Sequence, residues 1–121
     1  MATEAPLTIQ LVLSIPVNTT ASRPARTSVL CPKDADFDYV ILQFPTGPQF
    51  NAIVWVDIDG HKVWPPQVQG GHPGIALDGI SPRFPVKIPV LRNQTLGFSG
   101  TNSDLTNTHE VVMIIGEDRG P

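Results

Sequence analysis

Thirteen prolines are scattered through the 121 residues, roughly twice the ~5% share of an ordinary soluble domain. Each lacks a backbone donor and breaks a helix interior, so long helices have little room. Ten glycines add further breaks. What survives between them are short runs rich in Val, Ile, Leu and Phe, bounded by turn residues, which is how strands read. The length suits one domain, and roughly two-thirds of its unfolded surface can be buried without staples. Hydrophobic residues make up 40% of the chain, too many for disorder throughout.

The clearest strand lies over residues 7–17. Leu7, Ile9, Leu11, Leu13, Ile15 and Val17 occupy the odd positions, with Thr8, Gln10, Val12, Ser14 and Pro16 between them. Such period-two alternation predicts one apolar and one polar face. Pro16 belongs at an edge or a bulge. Residues 1–6 are expected to be a flexible segment, 18–26 a loop, and 27–31 a short strand stopped by Pro32. The run 37–44 is apolar on both faces, which predicts a central strand covered on both sides. Ala52–Ile58 and His61–Trp64 flank Asp59-Gly60, the signature of a two-residue type I′ hairpin. A long loop follows over 65–74, and 75–77 starts another extended run. Residues 84–91 carry Pro85 and Pro89 and pair on one side at most. The run 94–98 is short and bounded by glycines. A polar loop over 102–108 leads into a last strand, 109–115. The domain is expected to span 7–116, with 117–121 a polar tail.

About eight strands and no amphipathic helix predict an all-β, single-domain, two-sheet sandwich. Only one connection is a tight hairpin. Longer connections fit Greek-key crossings between sheets, and eight strands so wired make a jelly roll. An immunoglobulin-type sandwich fits less well, because no Cys…Trp…Cys pattern occurs.

The order of segments carries a resemblance. An alternating first strand precedes ASRPARTS, then DYVILQFPTGPQFNAIVWVDIDGHKVWP, then IPVLRNQTLGFSGTNSD, then HEVVMII. This resembles small single jelly-roll virion proteins of tailed bacteriophages, including capsid decoration (cement) proteins, over most of residues 7–116. The resemblance rests on strand rhythm and loop composition, without a diagnostic motif. It implies a non-enzymatic structural protein of the virion, a homotrimer that clamps the major capsid protein lattice. It carries over no binding residue.

Catalytic and metal patterns fail one by one. Asp34, Asp36 and Asp38 open like a calcium loop, but Tyr39 stands where glycine is needed and Pro45 where a bidentate Glu is needed. Asp57, Asp59 and His61 are split by the hairpin turn. His61, His72 and His109 form no H-x-H pair of the cupin kind. No G-x-S-x-G, Walker or dinucleotide pattern occurs. The single cysteine, Cys31, sits between Leu30 and Pro32 and reads as an inert buried thiol. No cofactor and no catalytic residue are expected. Net charge is −3, which argues against a nucleic-acid partner. The run 7–17 lacks a preceding Lys or Arg and is too short to span a bilayer, so neither a signal peptide nor a membrane partner is expected. The expected location is the virion, after synthesis in the host cytoplasm.

Two surfaces remain. Charged residues are only 16% of the chain, against about 25% in typical domains, leaving neutral surface for burial between copies. The long first strand either buries its odd face in its own sandwich or projects to add to a neighbour's sheet, with Leu7, Ile9, Leu11, Leu13 and Ile15 as interface candidates. Pro16, Pro24, Pro85 and Pro89 are placed to guard exposed edges. The alternative function is a carbohydrate-binding module, with Tyr39, Trp55 and Trp64 as a stacking platform; the same aromatics serve equally as core.

Overall fold

A computed structural model of the chain describes residues 6–20, 22–44, 51–65, 74–76 and 78–118. The described residues form eight strands and no helix: β1 (Thr8–Ile15), β2 (Ala25–Leu30), β3 (Ala35–Gln43), β4 (Ala52–Ile58), β5 (His61–Trp64), β6 (Arg83–Val90), β7 (Thr95–Asn102) and β8 (His109–Gly116). They make two antiparallel four-stranded sheets, ordered β1-β8-β3-β6 and β2-β7-β4-β5.

The pairings follow one rule. β4 pairs with β5, β3 with β6, β2 with β7 and β1 with β8. The chain is thus a two-ply ribbon folded at Asp59-Gly60 and then wound, so that β8 also meets β3 and β7 also meets β4. The fold point is the hairpin expected from Asp-Gly. Both residues have positive φ, 51° and 85°, and Ile58 pairs with His61, as a type I′ turn requires. Each other connection passes from one sheet to the other.

The inner faces of the two sheets share one core. Its fully buried side chains include Phe37, Phe98, Ile15, Leu42, Leu96 and Met113. The odd residues of β1 point inward: Leu13 and Ile15 are buried, and Leu7, Ile9 and Leu11 pack half-buried against the core.

Four expectations need correction. The first strand does not project. It ends at Ile15, before Pro16 and a turn at Asn18 with φ 53°, and it pairs with β8 over its whole length. β3 is central within its sheet but is not covered on both faces. Ala35 and Phe37 face the core, then Val40, Leu42 and Phe44, because a register shift between Phe37 and Tyr39 reverses the phase. A strand that changes phase midway reads as apolar on both faces. β7 runs past Phe98 to Asn102, so its glycines are interior rather than boundaries. Finally, residues 117 and 118 belong to the sandwich and not to a tail: Glu117 is buried, and Asp118 N–H donates to Asp38 Oδ1 at 2.6 Å. Of the extended run at 75–77, Ile75 makes a two-bond bridge to Val54 beside β4. Residue 77, most of the 65–74 loop and residues 1–5 lie outside the described residues.

Candidate functional site

The aromatic platform does not assemble. Trp64 points into the sandwich, 8% exposed, with its ring 5.1 Å from Phe84 of the opposite sheet, where it closes the side between β5 and β6. Tyr39 and Trp55 sit on the outer faces of different sheets. Trp55 lies beside Ser99. The Tyr39 ring is already engaged: the Arg83 guanidinium lies 4.4 Å from its centroid, and a Cβ at Gly116 would strike the hydroxyl end of the ring. Its hydroxyl reaches Thr8 Oγ1 at 3.5 Å. A sugar stacking where the guanidinium lies would have to displace it. The shallow depression beside Tyr39, about 300 Å³, is lined by Asp38, Arg83, Pro85 and Asp118, and Arg83 is already paired to Asp118 at 3.0 Å.

The carboxylates are engaged by the fold itself. Asp34 Oδ1 accepts the Arg92 N–H at 2.8 Å, and Asp59 Oδ1 accepts that of Thr95 at 2.8 Å. Asp104 accepts from the Thr106 N–H and hydroxyl, from the Asn107 N–H and from His109 Nε2 at 2.9 Å. These contacts, led by the Thr106 backbone donor, hold its carboxyl well below the ordinary carboxylate range. His109, 7% exposed, is therefore committed to the loop between β7 and β8. Among the described residues no group of three His, Cys, Asp or Glu is arranged to hold a metal ion; His72 lies outside them. Cys31 is buried, and burial pushes its thiol pKa up, away from nucleophilic character.

Two polar arrangements escaped sequence reasoning. Glu117 accepts the N–H of Leu7 at Oε1 and of Asp36 at Oε2, both at 3.0 Å, tying β1 to β3 across the end of β8. On the outer face of the second sheet, Arg26 of β2 pairs with Asp57 of β4 across β7, and Ser99 Oγ donates to Asp57 at 3.1 Å. A glycine flanked by hydrophobics at position 97 was the available signal, since a strand glycine marks a close approach.

The interface candidates divide. Leu13 and Ile15 are fully used by the chain's own core, and Leu7, Ile9 and Leu11 are half-buried at its margin. What β1 leaves open is its backbone edge and its outer face, where Val12 is 46% exposed. On that face Val12 adjoins Val112 of β8, and Ile114 of β8 adjoins Ile41 of β3. Among the described residues no helix is long and apolar enough to cross a membrane. Compared with family models, curated proteins and solved structures, the chain matches none.

Proposed function

We propose that this chain is a non-enzymatic structural protein of a virus particle, a decoration protein that associates with itself and binds the outside of a capsid lattice. The observation that carries the reading is the wound ribbon. Strand orders 1-8-3-6 and 2-7-4-5 are read here as a jelly roll, two Greek keys sharing one core. That is the architecture implied by the resemblance to small virion proteins of tailed bacteriophages. The low charge of the chain and the uncharged outer face of β1 add support, since lattice proteins bury such surface against neighbours. A trimer is the assembly which the resemblance implies.

The carbohydrate-binding alternative lacks a specific observation in its favour, because Tyr39, Trp55 and Trp64 do not share a surface. The test is co-expression with the major capsid protein encoded nearest to this chain's gene, followed by sedimentation of the shells. Stoichiometric recovery with the shells is expected. A chain that stays in the supernatant at all salt concentrations overturns the reading.

A further inference from the structure

The two sheets end in four edges, and three of them are guarded against pairing. β6 carries Pro85 and Pro89. Leu42 and Phe44 donate their N–H groups to Pro82 and Ile80, and Asp36, opposite Pro89, gives its N–H to Glu117. Both prolines therefore turn their missing donors toward the open side, as edge prolines do. β5 has only four residues, with a bulge opposite Asp57 and Lys62 within it. β2 has six residues, includes Arg26, and lies between Pro24 and Pro32.

β1 has none of these devices. It runs eight residues without proline, charge or bulge. Glu117 N–H donates to Leu7 O, so the odd residues face β8. The N–H and C=O groups of Thr8, Gln10, Val12 and Ser14 then point out of the sheet, and among the described residues no backbone or side-chain partner meets them. Beneath this edge Leu7, Ile9 and Leu11 remain half-buried.

We propose that the open edge of β1 is joined by the same edge of a second copy, antiparallel about a two-fold axis at Leu11. The strand is its own complement. In that register Thr8 faces Ser14 and Gln10 faces Val12 of the other copy, and all four outward residues are engaged; shifting by two residues in either direction strands one of them. No like charges meet, and the half-buried leucines of each copy gain cover from the other. The contact is isologous and closed, and it makes one continuous eight-stranded sheet. A two-fold strand pair joins two copies, so it assigns a dimer contact where the resemblance implies a trimer.

The proposal deepens the self-association in the reading above, and the two fail separately. Sedimentation equilibrium of the full chain, up to about 100 micromolar, is expected to show a dimer. Gln10→Lys/Val12→Lys places lysine opposite lysine twice, on exposed positions, and should weaken the dimer about tenfold or more. Gln10→Lys/Val12→Glu places lysine opposite glutamate in the same register and should restore it. A monomeric or trimeric wild type, or a Lys/Glu variant no tighter than the Lys/Lys variant, overturns the strand pair. Failure of a wild-type dimer to sediment with shells overturns the virion reading and leaves the strand pair standing.

Discussion

Arg26 and Asp57 meet over a strand that belongs to neither: Arg26 Nη2 lies 2.6 Å from Asp57 Oδ1, and β7 passes beneath them with Gly97 at the crossing. The carboxylate is 5% exposed although it sits on an outer face. The guanidinium covers it, and Ser99 Oγ takes its other oxygen. A Cβ at position 97 would collide with both Asp57 and Arg26. Gly97→Ala should therefore cost about 2–4 kcal/mol, combining overpacking with disturbance of a pair whose carboxylate is buried. Urea denaturation checks this, and Gly97→Ala in an Asp57→Ala background should cost much less.

Acid should loosen the loop between β7 and β8. The Asp104 carboxyl is held below its ordinary range by the Thr106 N–H first and by His109 next. Its folded pKa lies below its unfolded value, so its contribution is complete above the unfolded pKa of about 4 and is lost as pH falls below it. The difference in Tm between wild type and Asp104→Asn should be largest near neutral pH and should narrow steadily below about pH 4. A difference that stays constant down to the acid limit contradicts this assignment.

The two faces of β1 should respond differently to truncation. Leu13 is 3% exposed in the core, and Leu13→Ala should cost about 3 kcal/mol. Val12 is 46% exposed on the outer face, and Val12→Ala should change the stability of the monomer by less than about 0.5 kcal/mol. Chemical denaturation at low protein concentration separates these effects from any on association.

Glu117 should act as a clamp. Removing its carboxylate leaves the N–H groups of Leu7 and Asp36 without their acceptor, at about 2 kcal/mol for the pair. Glu117→Ala should speed amide exchange at Leu7 and Asp36 far more than at residues of β4. Uniform acceleration across the sandwich would mean that Glu117 supports the whole fold rather than this corner.

Much of the architecture was legible because local chemistry and global fold agree. Asp59-Gly60 specified its hairpin, the alternation of β1 specified one apolar and one polar face, and Pro85 and Pro89 specified an edge. The misreadings arose where a third strand intervenes. The phase of β3 depends on a register shift against β6, which leaves no mark in the spacing of Phe37, Val40 and Leu42. Gly97 and Gly100 read as breaks, yet they lie mid-strand, under Arg26 and Asp57 and under Ile15 respectively. Glu117 looked like solvent-exposed tail because its partners are backbone groups far away in the chain. The aromatics were ambiguous for a related reason: nothing in the sequence says that Arg83 will lie on Tyr39, or that Trp64 will meet Phe84.

The pairing of β1 with β8 sets a timetable for the chain. Among the described residues, Asp59-Gly60 joins the only two strands that are both neighbours in sequence and partners in a sheet. Outward from it, the pairings of β3 with β6, β2 with β7 and β1 with β8 each enclose a longer loop, so the closure entropy is largest for β1 with β8. Topologies dominated by distant pairings fold in milliseconds to seconds. During synthesis β1 emerges before β8, so its inward apolar residues Ile9, Leu11, Leu13 and Ile15 stay without that partner until the strands between have been made. The strand whose edge is left open in the fold is also the one whose partner lies farthest along the chain, and so the one uncovered longest during synthesis.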